Sequence, residues 1–269
     1  MPKLLFCDID GTLIRSDGTI SGHVRSLLEE MAAQGHGFIL TSGRPLSSIL
    51  RVRDYIAIDF PHSYIIANNG GLIYDCNLKA PVFEARLPLP LVDALQSAAE
   101  ERQIHIQTYT EDSIVCRHET EEVKHYAERI KMPVILSDTL SSALNVAPYK
   151  MLALSLKGSD SLMPLKNSIE GNYGDRVNAM FSQNGYLEIL PKEASKGNAL
   201  RFLCSHLDIP VSDTYAVGDS ENDIAMLRAA AISYAMKNGD ETVKSSAGFI
   251  TALDHNHDGI AEVLNHILS

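Results

Sequence analysis

Four short apolar runs, each ending in a cluster of small and polar residues, constrain this chain more than any other feature. Leu4-Leu5-Phe6-Cys7 leads into Asp8-Ile9-Asp10-Gly11-Thr12, and Gly37-Phe38-Ile39-Leu40 into Thr41-Ser42-Gly43-Arg44. Ser63-Tyr64-Ile65-Ile66-Ala67 stops at Asn68-Asn69-Gly70-Gly71, and Thr214-Tyr215-Ala216-Val217 at Gly218-Asp219. Unbroken apolar runs of this length suit strands buried on both faces. Helical spacings lie between them. Val24, Leu27, Leu28 and Met31 follow a candidate N-cap at Ser21 and precede Gly35, and Pro45 suits the first turn of a second helix. The rhythm returns after residue 195, with a helix over about 196–206, strands at 214–217 and 232–235, a helix through Ala225-Met226-Leu227 and a terminal helix near 260–268. Strands alternating with helices imply a parallel sheet covered on both faces.

The middle of the chain reads differently. Ile104-His105-Ile106-Gln107-Thr108-Tyr109 alternates with period two, and runs at 151–156, 177–181 and 186–190 look similar, with helical patterns near 91–101, 119–131 and 161–170. Alternation marks strands with one solvated face, as in antiparallel sheets. The expected fold class is therefore α/β: a Rossmann-like parallel-sheet core domain, discontinuous over residues 1–82 and 191–269, with an α+β cap domain inserted at 83–190. Linkers are expected near 77–86 and 188–195, with the site in the cleft and the cap closing over it as mobile lids do.

Length and composition remove several alternatives. With 269 residues, 45% hydrophobic and 21% charged, the chain can bury one large core or two smaller ones and does not read as disordered. Its 34 Asp+Glu against 23 Lys+Arg leave a net charge of -11, which argues against a general nucleic-acid binder. No apolar run approaches the roughly 18 residues that span a bilayer, and Asp8 comes too early for a signal peptide. Cys7, Cys76, Cys116 and Cys204 form no C-x-x-C pair, so neither zinc nor a disulfide framework is indicated, and a reduced, cytoplasmic protein is expected.

Each polar cluster has a plain reading as a turn, a cap or a solvated surface. Together they read otherwise. Carboxylates at Asp8 and Asp219, both predicted at one sheet edge, repel unless a hard cation lies between them, and Mg²⁺ favours one or two carboxylates with waters and phosphate oxygens. Ser42, Lys196 at a helix start and the amides after Asp10 would then supply donors to a phosphate. That inventory serves phosphoryl transfer. His255, His257, Asp254 and Asp258 resemble a metal cluster, but without a strand end to support them they read as a solvated turn.

In order, Asp8-x-Asp10-Gly11-Thr12, Thr41-Ser42-Gly43-Arg44, Lys196 and Gly218-Asp219-x-x-Asn222-Asp223 resemble the four motifs of haloacid dehalogenase-like phosphatases. The large insertion and Asn68-Asn69-Gly70-Gly71 are similar to the Cof-type branch. The resemblance implies Asp8 as a nucleophile forming an aspartyl-phosphate, and Asp10 as the acid/base, free to carry a proton. It implies Mg²⁺ held by Asp8, Asp219 and the main-chain oxygen of Asp10, and Ser42, Gly43, Lys196 and Asn222 on the phosphoryl group. Asp223, Arg44 and Thr12 would support these groups from behind, Arg44 in a structural role. The implied substrate is a small phosphorylated metabolite such as a sugar phosphate, with no nucleic-acid or membrane partner. A phosphomutase or phosphotransferase, and a module that only accepts phosphate, are the alternatives; Asp10 and the cap speak against the latter, and dehalogenation needs neither Asp10 nor a metal.

Overall fold

The computed structural model describes residues 2–269. Its first three apolar runs form β1 (Leu4–Asp8), β2 (Gly37–Thr41) and β3 (Ser63–Ala67), each buried along its whole length. Helix α1 (Gly22–Ala33) starts where the Ser21 Oγ accepts from the Val24 amide at 3.1 Å, and it buries Val24, Leu27, Leu28 and Met31. Helix α2 (Leu46–Ile56) begins just after Pro45, which caps it from an extended conformation. The chain then departs from an all-parallel sheet: β4 (Leu72–Asp75) and β5 (Ala80–Glu84) add antiparallel strands beyond β3. Asn68, Asn69 and Gly70 have φ of 50°, 54° and 95° and reverse the chain at once. A parallel neighbour would need a crossover of about a dozen residues, which this turn does not provide.

Ala85–Glu193 forms a compact unit of its own. In chain order it contains α3 (Leu89–Glu100), β6 (His105–Tyr109), β7 (Ile114–Cys116), α4 (Glu121–Ile130), β8 (Val134–Leu136), β9 (Met151–Leu154), α5 (Met163–Tyr173), β10 (Val177–Gln183) and β11 (Tyr186–Pro191). Its strands lie in the order β10-β11-β9-β6-β7-β8. All pairs are antiparallel except β7 with β8. Leu91 and Leu95 of α3 and Leu165 and Ile169 of α5 pack with Val115, Met151, Leu187 and Ile189 from the sheet. Val82 and Phe83 pack in the other unit, because Phe83 pairs with Ile73 on β4.

That other unit, Met1–Glu84 with Ala194–Ser269, is completed by α6 (Lys196–Leu207), β12 (Thr214–Gly218), α7 (Ile224–Leu227), β13 (Ile232–Ala235), α8 (Glu241–Lys244), β14 (Phe249–Ile250) and α9 (Ile260–Leu268). The strand order is β14-β13-β12-β1-β2-β3-β4-β5, parallel throughout from β14 to β3. Leu4 and Phe6 pack with Ile39, Ala216, Leu200, Leu203 and Met226 on one face. Leu5 and Cys7, equally buried, alternate to the opposite face. Register then aligns the strand ends: Asp8 lies opposite Thr41, Cys7 opposite Val217, Thr41 opposite Ile66 and Gly218 opposite Ala235. The loops that leave these neighbouring strands therefore start at one level, where parallel sheets bind ligands. Among the described residues no helix is long and apolar enough to cross a membrane, and all four cysteines are buried and free.

Candidate active site

Lys196, the first residue of α6, is the organising group. Its side chain is 0% exposed, and its Nζ lies 2.5 Å from Asp8 Oδ1 and 2.5 Å from Asp223 Oδ1. Local sequence explains the depth. The Ser195 Oγ caps α6 by accepting from the Asn198 amide at 3.0 Å. A Cβ at Gly197 would strike the Ala225 carbonyl, so only glycine lets α6 lie this close to α7. Asp223 turns its other oxygen to the Asp219 and Ser220 amides, both at 3.0 Å, which fixes the loop after β12. Asp219 in turn accepts from the Thr12 hydroxyl at 2.9 Å and the Ser220 hydroxyl at 3.1 Å. A Cβ on Gly11 (φ +76°) would lie 2.6 Å from Asp219 Oδ2, so the chain after Asp10 runs directly against this carboxylate.

One oxygen from each of Asp8, Asp219 and Asp223 lies within 4.8 Å of the others. Three carboxylates share one lysine, so the fully ionised cluster carries a charge of about −2 in a dry environment where charge is expensive. Burial pushes the Asp8 carboxyl well above its ordinary range, Asp223 adds repulsion, and Lys196 opposes both. Burial and then Asp223 push Asp219 up to about 6. Burial by itself disfavours the Lys196 charge, yet its contacts with Asp223 and Asp8 raise its pKa, so it stays an ammonium. The set offers only hard oxygen donors and an unbalanced double negative charge, which fits a divalent cation such as Mg²⁺.

On the neighbouring loops, the Ser42 Oγ accepts from the Arg44 amide at 3.1 Å, and the Ser42 and Arg44 carbonyls accept from the Asn69 and Asn68 amides. The Asn222 Nδ2 donates to Asn69 Oδ1 at 2.9 Å, while the buried Asn222 Oδ1 has no hydrogen-bond partner among the described residues. A Cβ on Gly43 would sit 3.0 Å from the Asn69 amide group, and one on Gly70 would strike the Ser195 backbone, so the 68–70 turn wedges between the Ser42 loop and the start of α6. In the sequence Asn69 reads as a turn residue and as part of the Cof-like Asn68-Asn69-Gly70-Gly71 segment, with no contact assigned to its side chain. Its signal was two asparagines before Gly-Gly, where left-handed backbone is affordable.

One pairing at the site was not legible in the sequence. Asp10 is not free: Arg44 Nε reaches Asp10 Oδ2 at 2.7 Å and Arg44 Nη2 reaches Asp10 Oδ1 at 2.5 Å, at side chains 35% and 60% exposed. The loops after β1 and β2 leave adjacent strands, which brings the guanidinium fork onto both oxygens. Asp223 lies beside Asp8 and Asp219, with its oxygens on Lys196 and on the Asp219 and Ser220 amides. Among the described residues, Asp254, His255, His257 and Asp258 form no such group; Asp258 pairs with Arg15 at 2.8 Å and His257 with Asp254 at 2.7 Å.

The chain is 28% identical over 264 residues to "Putative phosphatase M6_Spy0533" of Streptococcus pyogenes, covering 97% of each protein. Its fold is shared with a haloacid dehalogenase-like hydrolase of Bacteroides thetaiotaomicron, at 28% identity and a TM-score of 0.84 over 99% of this chain and 100% of that one. TM0651 of Thermotoga maritima is 29% identical with a TM-score of 0.81, over 99% of this chain and 98% of its own. Residues 5–264 match the family described as haloacid dehalogenase-like hydrolase. With the ordered strand-end clusters meeting around Lys196, the chain belongs to the haloacid dehalogenase-like hydrolases.

Proposed function

We propose that this protein is a Mg²⁺-dependent phosphatase that hydrolyses a small phosphomonoester, such as a sugar phosphate, through an aspartyl-phosphate on Asp8. The observation that carries this reading is the buried Lys196 bridging Asp8 and Asp223 beside Asp219 at the carboxyl edge of a parallel sheet. Asp8 and Asp219, with the main-chain oxygen of Asp10, would hold Mg²⁺, which would supply positive charge to the reacting phosphoryl group and favour the ionised form of Asp8.

The chain's own groups do the rest. Asp8 attacks phosphorus and the bond to the leaving oxygen breaks. Lys196 accompanies the charge that develops, together with the Ser42 hydroxyl, the Gly43 amide and the Asn222 amide group. Asp10 gives a proton to the leaving oxygen, then takes one from the water that attacks the acyl phosphate and frees inorganic phosphate. Because Arg44 engages both Asp10 oxygens, that carboxyl must leave at least part of the fork before it can donate. Thr12 holds Asp219, and Asp223 holds Lys196.

The test is phosphate release over a panel of phosphorylated metabolites with Mg²⁺ or with EDTA, for wild type and Asp8→Asn. Release should need Mg²⁺ and fall to background in D8N, and acid quench should trap phosphoenzyme only in wild type. Full-rate release in EDTA, or by D8N, would overturn the proposal. Phosphate recovered on a second hydroxyl instead of in solution would make the enzyme a phosphotransferase.

A further inference from the structure

Asn238 lies outside every motif discussed above, yet its side-chain amide joins three separate segments of one unit. Its Nδ2 donates to the Gly11 carbonyl at 2.8 Å, and its Oδ1 accepts from the His255 amide at 3.1 Å. The turn that carries it is anchored to the loop of Asp219. The Met236 amide donates to the Gly218 carbonyl at 2.9 Å, and a Cβ on Gly239 would lie 2.9 Å from the Asp219 carbonyl oxygen. Asn238 is thus an arm reaching from the Asp219 loop to the peptide that follows Asp10. An exposed asparagine without a task leaves both ends of its amide to water; here both are committed to backbone groups far away in sequence.

We infer that Asn238 is a positioning residue that holds the Asp10–Gly11–Thr12 segment against Asp219, and so sets the spacing of the oxygens that would share the cation. The inference rests on the cation-dependent reading above. The left-handed Gly11 peptide is free to rotate unless something holds its carbonyl. Thr12 pins the segment on one side through Asp219, and Asn238 pins it on the other. The 254–258 turn braces Asn238 from behind: besides the His255 amide, Asn256 Oδ1 accepts from the Ser16 amide at 2.9 Å and Asp258 pairs with Arg15 at 2.8 Å.

Asn238→Asp separates the two bonds of this side chain. Aspartate still accepts from the His255 amide but cannot donate to the Gly11 carbonyl, whereas Asn238→Ala loses both. An added negative charge alone would tighten a nearby cation, so weaker binding in N238D has the opposite sign from simple electrostatics. The probe is Mn²⁺ bound to the substrate-free protein, followed by electron paramagnetic resonance. N238D and N238A should both bind Mn²⁺ roughly 3- to 10-fold more weakly than wild type, the scale of one ordinary hydrogen bond. The Mg²⁺ concentration for half-maximal activity should rise by the same factor, with KM for p-nitrophenyl phosphate at saturating Mg²⁺ unchanged. N238D that binds Mn²⁺ as wild type does, or more tightly, would overturn the assignment, as would weakening confined to N238A, which would trace to the His255 contact. Wild type that binds no Mn²⁺ would overturn the cation site itself.

Discussion

Removing a proposed cation ligand should make the cation-free protein more stable. Asp219 is held at a pKa of about 6 against an ordinary 3.8, by burial first and by Asp223 second. A carboxyl raised in this way binds its proton more tightly when folded than when unfolded. Its penalty on folding is therefore complete above about pH 6 and disappears as pH falls toward 3.8. A gap of about two pH units corresponds to about 3 kcal/mol at pH 7.5 and about half that at pH 5. Asp219→Asn removes the charge and keeps an oxygen to accept from Thr12. In EDTA, D219N should thus be more stable than wild type by about 2–3 kcal/mol at pH 7.5, with the difference roughly halved at pH 5. Burial lowers the pKa of His36 and His105, which costs stability as pH falls through 6.5, but both proteins carry these histidines and the effect cancels. Added Mg²⁺ should reverse the order, because it stabilises only the protein that binds it. Urea unfolding at pH 7.5, 6.0 and 5.0, in EDTA and in Mg²⁺, reads all of this. D219N no more stable than wild type in EDTA at pH 7.5 would refute the reasoning.

Lys196→Ala should lower phosphate release by about 10²-fold or more and destabilise the fold by about 3–5 kcal/mol, because Asp8 and Asp223 lose the lysine between them; Lys196→Arg should restore little, since a planar fork replaces a point charge. Wild-type turnover by K196A across several substrates would remove the lysine from the reaction. Gly70→Ala should cost about 1–3 kcal/mol in a thermal melt, because the new methyl must displace the Ser195 backbone at the start of α6. Asp10→Asn should cripple sugar-phosphate turnover by about 10²–10⁴-fold, yet give a nitrophenol burst followed by slow turnover with p-nitrophenyl phosphate, whose leaving group needs no acid. Rapid-quench kinetics that show equal losses for both substrates and no burst would end the double role.

The sequence alone carried the architecture of the first unit and the identity of its charged groups. Runs such as Leu4-Leu5-Phe6-Cys7 declare strands buried on both faces, because burial on both sides leaves no room for polar alternation. The polar residues that stop these runs then had to lie at one sheet edge, and this named Asp8 and Asp219; Lys196 was read from a helix start, and the role of Asp223 from the family resemblance. Three-residue strands such as β7 and β8 were not legible, being too short to show a period. Nor was the antiparallel β4–β5 edge, which depends on a turn reversing the chain where a crossover was conceivable. Tertiary structure alone decided who meets whom. Lys196 and Asp8 are 188 residues apart, and only the close approach of α6 to α7 at Gly197 sinks that lysine between two carboxylates. The capture of Asp10 by Arg44, the amide pair of Asn69 and Asn222, and the reach of Asn238 to Gly11 are of the same kind. Apolar spacing is written locally, because each residue carries its own preference for water. The pairing of polar groups is written in the register of the sheet and the fit of its loops, which no single stretch of chain contains.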